Sequence, residues 1–143
     1  MSTTYIPAEL RRLVARRARS RCEYCLIHED DAAFSHHCDH IISEKHGGPT
    51  VENNLAWCCS HCNFAKGSDI ASITPSGRLT PLFHPRRHRW NTHFRLNGNA
   101  IEPLSNIGIV TVRLLEMNTP DQFLERQLLI SLGHYPLGHY PRR

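Results

Sequence analysis

The chain has 143 residues, of which 40% are hydrophobic and 21% charged, and it carries a formal net charge of +4. This composition is that of one folded domain, so we expect a single domain over 1–143 that is neither disordered nor inserted in a membrane. The N-terminus lacks the apolar stretch of a secretory signal, which favours a cytoplasmic protein whose cysteines stay reduced.

Positive charge is concentrated in two parts of the sequence. Apart from Lys45 and Lys66 every basic residue is an arginine, and many of the arginines lie within positions 11–21. A second group lies in the stretch 70–101, which contains no Asp or Glu. Because a guanidinium group can donate two hydrogen bonds to one phosphate, these concentrations indicate a polyanionic partner such as nucleic acid.

The first predicted element is a basic amphipathic helix over residues 7–20. Pro7 suits the first helical position, and Leu10, Leu13 and Val14 fall on one face while arginines cover the rest. After it, residues 34–42 predict a short strand, and residues 55–59 predict either a second strand or the start of a helix. A loop around Gly47-Gly48 separates the two segments, and a short helix is expected over 63–71.

The second half, residues 71–132, is predicted to be an extension to this core. Residues 74–85 contain Pro and Gly and are expected to be irregular, whereas 89–104 predict a hairpin that turns at Asn97-Gly98. Residues 106–117 predict a helix, and Thr119-Pro120 predicts the start of another that runs to about Leu132.

The last helix and the C-terminus carry two further expectations. Leucines at helical spacing predict the buried stripe of the last helix: Leu124, Leu128, Leu129 and Leu132. Residues 133–143 are expected to form a mobile tail, although Leu-Gly-His-Tyr-Pro occurs twice, at 132–136 and 137–141.

Two Cys-x-x-Cys pairs are the strongest chemical signal in the sequence. Each pair, here called a knuckle, directs two thiolates at one point, so Cys22, Cys25, Cys59 and Cys62 predict a closed tetrahedral zinc site with a structural role. Cys58 is the alternative to Cys59, but a Cys-x-x-x-Cys spacing is less regular. A redox Cys-x-x-Cys is a further alternative, although the βαβ pattern that it needs is missing.

Polar residues between and after the knuckles form a second constellation. Asp39 and His40 are adjacent, so an extended backbone would direct them to opposite sides. Asn54 follows the Gly47-Gly48 loop, and Asn63 directly follows Cys62. A zinc ion that joins the knuckles would bring Asn63 close to the Asp39-His40 segment.

In this combination the chain resembles the HNH endonuclease family. The resemblance depends on Cys22-x-x-Cys25, Asp39-His40-Ile41-Ile42, Gly47-Gly48, Asn54-Leu55, Cys59-x-x-Cys62-Asn63 and Lys66, in that order, over residues 20–70. It implies an α+β fold with a ββα-metal core, in which a β-hairpin packs on a helix. Around that core we expect the N-terminal basic helix and the C-terminal hairpin-plus-helices extension.

The resemblance also implies a role for each matching residue. His40 matches the general base, Asp39 a metal ligand, and Asn54 the residue that holds the hairpin loop and so orients the histidine. Asn63 matches the last motif position, which is often His, so the motif reads H-N-N and an oxygen-preferring Mg²⁺ or Mn²⁺ is expected on Asp39 and Asn63. The implied activity is hydrolysis of phosphodiester bonds.

Double-stranded DNA bound with little sequence specificity is the expected substrate. Phosphate contacts are predicted for four basic side chains: Lys66, Arg86, Arg87 and Arg89. A homodimer would help to cut both strands. Two other functions stay open from the residues themselves: a non-catalytic zinc-ribbon module that binds nucleic acid, and a small zinc-stabilised protein-interaction module.

Overall fold

The N-terminal helix begins directly after Pro7 in the computed structural model, which describes residues 4–136. Helix α1 spans Ala8–Arg17, so it begins one position later than expected, and Pro7 directly precedes it, where its missing N–H costs no hydrogen bond. Val14 is fully buried, and Leu10 and Leu13 pack beside it against Leu55 and Trp57. This apolar face is the one that the sequence predicts.

The centre of the fold is a β-hairpin followed by a helix. Strand β1 (His37–His40) pairs antiparallel with β2 (Leu55–Cys58), with His40 opposite Leu55. Helix α2 (Ser60–Lys66) follows at once and packs on β1. Residues 55–58 therefore form the strand and not the helix start, because their side chains are buried on both sides of the hairpin.

The extension wraps this core with two further hairpins and three helices. Residues 74–85 are more regular than expected, since β3 (Ala71–Ile73) pairs with β4 (Leu79–Pro81) around a turn at Gly77, whose φ of +87° suits glycine. Strands of three residues are too short for an alternation of polar and apolar side chains to be recognised in the sequence.

The predicted hairpin at 89–104 is present with a shifted turn. A short helix, α3 (Trp90–His93), precedes strands β5 (Phe94–Asn97) and β6 (Ala100–Pro103). Asn97 pairs with Ala100, so the two turn residues are 98 and 99, one position later than predicted. Gly98 takes the first turn position with φ +59°.

Two helices complete the described chain. Helix α4 covers Asn106–Leu114 and α5 covers Pro120–Ser131. The Thr119 side chain accepts a hydrogen bond from the Gln122 backbone N–H, which confirms the predicted cap. The predicted leucine stripe is wrong: Leu129 is buried, but Leu124, Leu128 and Leu132 are 72, 59 and 58% exposed. The other buried residue of α5 is Arg126, which donates hydrogen bonds to the backbone oxygens of Asn99 and Met117.

The beginning of the expected tail is packed against the core. Tyr135 is 1% exposed, and its hydroxyl donates to the Cys25 carbonyl oxygen at 2.8 Å. His134 Nδ1 lies 2.9 Å from the Asp31 carboxylate. Within the expected tail these two residues are therefore packed against the domain, while the second copy of the repeat falls outside the described residues. No helix in the described chain is long and apolar enough to cross a membrane.

One buried cluster joins the knuckles to the extension. It includes Cys22 and Tyr24 from the first knuckle together with Phe83, Phe94 and Leu115. The architecture is the predicted α+β fold, with a ββα core, an N-terminal basic helix and an extension of hairpins and helices.

Candidate metal centre and active site

The four predicted zinc ligands meet at one point. Among the described residues, the ligand atoms of Cys22, Cys25, Cys59 and Cys62 all lie within 4.8 Å of one another, and all four side chains are buried. The Cys25 and Cys59 sulfurs are 3.6 Å apart, which is too far for a disulfide. It is close to the roughly 3.8 Å between two thiolates that share a tetrahedral zinc with 2.3 Å bonds.

The backbone around the sulfurs fits the same ion. The Cys25 N–H donates to the Cys22 sulfur at 3.5 Å, and the Cys62 N–H donates to the Cys59 sulfur at 3.4 Å. Such donors stabilise negative sulfur, the state in which cysteine binds a metal. The donor set therefore fits a structural zinc with no open coordination position.

Cys58 is not part of this quartet. Its Sγ donates to the Cys59 carbonyl oxygen at 3.5 Å, and burial raises the pKa of the Cys58 thiol well above its usual range, with its hydrogen bond to Cys22 as a second cause. Cys58 is thus a buried thiol next to the site, whereas Cys59 belongs to the group that could hold a metal ion, in agreement with its spacing.

Asp39 and His40 extend from β1 into different surroundings, as an extended strand requires. The Asp39 carboxylate is 4% exposed and accepts from the Tyr24 hydroxyl at 2.8 Å. The Lys66 ammonium lies 3.2 Å from each of its two oxygens and also donates to the His40 carbonyl oxygen at 3.1 Å. Asp39, Tyr24 and Lys66 therefore form one buried polar cluster.

The charges in this cluster compensate one another. Burial raises the pKa of the Asp39 carboxyl, while Lys66 and the hydrogen bond from Tyr24 act in the opposite direction. Burial, followed by the nearby Asp39 charge, raises the pKa of Tyr24 well above its usual range, so Tyr24 remains a proton donor. The Tyr24 contact was not foreseen, because nothing in the knuckle sequence indicates which polar group its aromatic residue meets.

The phosphate contact predicted for Lys66 is wrong. The side chain is 1% exposed and is held by Asp39 and the His40 carbonyl. In sequence a lysine next to a glycine at the end of a helix is typical of a solvated surface. Here the helix ends against β1, and the ammonium neutralises a carboxylate that folding has buried.

His40 is 5% exposed and lies at the end of β1. Its Nε2 is 2.9 Å from Thr50 Oγ1 and 3.2 Å from Glu44 Oε1. Both partners belong to the β1–β2 loop, residues 41–54. Neither Glu44 nor Thr50 was singled out by the sequence, since no spacing rule connects them with the imidazole.

Asn54 holds the β1–β2 loop through three hydrogen bonds. Its Oδ1 accepts from the Ile42 N–H at 2.9 Å, and its Nδ2 donates to the Ile42 and Pro49 carbonyl oxygens, each at 2.9 Å. Gly48 is needed in the same place, because a Cβ there would lie 1.7 Å from the Ile42 oxygen and 2.8 Å from Asn54 Nδ2. These bonds place Asn54 at the neck of the loop that carries Glu44 and Thr50.

Asn63 lies at the middle of α2 and is half-buried. Within the described chain its side chain has no hydrogen-bond partner, so its amide oxygen is available to a ligand. The two residues expected to bind an oxygen-preferring cation thus offer one half-buried amide and one buried carboxylate. That carboxylate retains lone pairs, but Lys66 already supplies a positive charge beside it.

The arginines differ in how accessible their guanidinium groups are to a phosphate. Arg86 is half-buried and paired with Glu23, whose other oxygen accepts from the Trp57 N–H at 2.7 Å. Arg87 and Arg89 are exposed, as are Arg11, Arg12, Arg16 and Arg19 of the N-terminal segment. Arg17 donates to the Glu52 and Leu55 carbonyl oxygens and so fixes α1 to the hairpin.

Comparison with known proteins adds an independent observation. The model of the HNH endonuclease family matches residues 22–69. No curated protein and no solved structure matches the chain significantly. The matched segment holds both knuckles, the hairpin and α2, and with them His40, Asn54 and Asn63 in motif order. Residues 22–69 therefore match the HNH endonuclease family, and this match suggests a nuclease that acts on nucleic acid.

Proposed function

We propose that the protein is a metal-dependent endonuclease that hydrolyses phosphodiester bonds in double-stranded DNA. The observation that carries the proposal is His40: within the segment that matches the HNH family, a buried imidazole at the end of β1 is held by Thr50 and Glu44. A positioned imidazole is the usual general base at neutral pH, and such a base accelerates a reaction by roughly 10²–10⁴.

In this proposal each residue has one task. His40 takes a proton from water, and Asn54 keeps the loop around His40 in place through its bonds to Ile42 and Pro49. Asp39 and Asn63 would hold Mg²⁺ or Mn²⁺, which supplies Lewis-acid stabilisation of the charge that develops on the phosphate. Tyr24 and Lys66 keep Asp39 oriented and compensate its charge.

Exposed arginines would bind the DNA backbone. Arg87 and Arg89 are free to contact phosphates, whereas the ion pair of Arg86 with Glu23 makes it a support for that segment. Affinity should fall steeply with salt, because such contacts release counterions. A homodimer is part of the same proposal, since one active site cuts one strand at a time, and gel filtration of the full chain tests it.

The experiment is a plasmid-nicking assay with Mg²⁺ or Mn²⁺ on the zinc-loaded chain. His40→Ala should bind DNA and zinc like the wild type and lose cleavage by at least roughly 100-fold, since it removes the base. His46→Ala is the matched control, because His46 is an exposed imidazole in the same loop, and it should cut normally. Cleavage by His40→Ala at the wild-type rate would refute the role of His40.

One observation favours a second candidate, a zinc-containing module that binds nucleic acid without cutting it. Lys66 holds the place beside Asp39 that a divalent cation would take. For such a module the wild type binds DNA in a salt-dependent way but never nicks it. Asp39→Ala and His40→Ala would then leave DNA affinity unchanged, and the nicking assay separates the two functions directly.

A further inference from the structure

The partners of His40 determine which of its two ring nitrogens can act. Nε2 lies 2.9 Å from Thr50 Oγ1 and 3.2 Å from Glu44 Oε1, while the ring is 5% exposed. A carboxylate oxygen can only accept a hydrogen bond. If Nε2 carried no proton, its lone pair would be repelled by the lone pairs of the Glu44 carboxylate. If Nε2 is protonated, its N–H faces two oxygens that can accept a hydrogen bond from it.

Glu44 is itself held in this position. Its Oε2 accepts from the Thr4 hydroxyl at 2.6 Å, which leaves Oε1 directed at His40. The loop that carries Glu44 and Thr50 is closed at its neck by the three bonds of Asn54. Nε2 therefore faces the half-buried Thr50 hydroxyl and a Glu44 carboxylate that is 39% exposed but bonded to Thr4.

We propose that Glu44 and Thr50 are positioning residues that fix His40 as the Nε2–H tautomer, so that Nδ1 accepts the proton from water. The inference rests on the proposed function for its last step, in which His40 is the base. There a water O–H bond breaks and an Nδ1–H bond forms. The hydroxide oxygen bonds to phosphorus, and the leaving oxygen departs with the electron pair of its P–O bond and takes a proton from solvent.

The first measurement is the tautomer itself, observed without any reaction. Long-range ¹H–¹⁵N correlation spectra of the labelled full chain with zinc, at about pH 8 and without other divalent cations, distinguish a protonated from a bare ring nitrogen. The His40 signals are those lost in His40→Ala. The wild type should show Nε2–H and bare Nδ1 for His40, because a carboxylate favours the tautomer that donates to it.

The variants then change only the partners. Glu44→Gln combined with Thr50→Val replaces two acceptors by an amide that can donate to Nε2 and a methyl group, so the Nδ1–H form should gain population. The kcat for nicking should fall roughly 10–100-fold, by analogy with the partners that orient a metal-bound histidine, with KM nearly unchanged. Thr50→Ser keeps the hydroxyl and should retain both the tautomer and the rate.

Glu9→Gln is the matched control for removing a carboxylate, since Glu9 is exposed on α1 and remote from His40 in sequence. It should match the wild type in spectrum and rate, and urea unfolding should show that every variant folds. An Nδ1–H wild type, or a double variant with unchanged tautomer and kcat, would overturn the inference. A wild type with Nε2–H that never nicks DNA would instead overturn the proposed function and support the tautomer assignment.

Discussion

The two lysines of this chain differ in burial, because Lys66 forms a buried ion pair with Asp39. Lys66 is 1% exposed and bonded to Asp39, whereas Lys45 is exposed in the β1–β2 loop. Removing one member of a buried ion pair leaves an uncompensated charge, which usually costs more than the pair itself contributes.

We expect Lys66→Met to destabilise the folded state by about 3–5 kcal/mol, because the Asp39 carboxylate stays buried without its counter-ion. Lys45→Met should change stability by less than about 0.5 kcal/mol. The double variant Asp39→Asn with Lys66→Met removes both charges and should recover most of the loss. Urea unfolding of the zinc-loaded proteins measures all three, and a Lys66→Met protein as stable as Lys45→Met would contradict the buried pair.

Among the elements, the β1–β2 loop depends on two adjacent glycines for different reasons. Gly47 has φ +86° and open space around its Cα, whereas a Cβ on Gly48 would collide with the Ile42 carbonyl oxygen. The first glycine is required by backbone conformation, and the second by the close approach of two backbone segments.

Gly47→Ala should cost about 1–2 kcal/mol, the usual penalty for a left-handed L-residue, and should leave nicking intact. Gly48→Ala should cost more and abolish nicking, since the loop must move away from Ile42 and takes Glu44 and Thr50 with it. Urea unfolding and the nicking assay on the same two proteins compare them. Equal effects of the two substitutions would show that the close packing at Gly48 has no part in the site.

At the scale of the whole molecule, the thiolate quartet connects segments far apart in sequence. The first knuckle follows α1, the second begins α2, and Tyr135 from the C-terminal end bonds the Cys25 carbonyl oxygen. A metal ion at this point stabilises the folded state directly, because the site does not exist in the unfolded chain.

The purified chain should contain about one zinc, and a strong chelator should unfold it, as seen by circular dichroism. Cys59→Ser should lose most of the zinc. Cys58→Ser is the matched control and should keep it, since Cys58 bonds a carbonyl and lies outside the quartet. Equal zinc loss in both variants would show that the adjacent thiols exchange as ligands.

Residues close in the chain, or joined by a ligand with strict geometry, could be predicted from the sequence alone. The Cys-x-x-Cys spacings identify the quartet because a knuckle forms locally, and the motif order identifies the HNH domain. The Thr119 cap and the apolar face of α1 follow from local helix chemistry in the same way.

The partners of buried polar groups were decided only by tertiary structure. Lys66 meets Asp39, Tyr135 meets Cys25, and Glu44 with Thr50 meets His40. Tertiary structure also decided which side of α5 is buried. The helical spacing of its leucines is compatible with burial, but Arg126 faces inward instead, because it bonds backbone oxygens there. The local sequence pattern indicates which side chains share a face of an element. Which face is buried depends on the free-energy cost of leaving a buried charge or carbonyl unpaired, and that cost is set by the packing of the whole molecule.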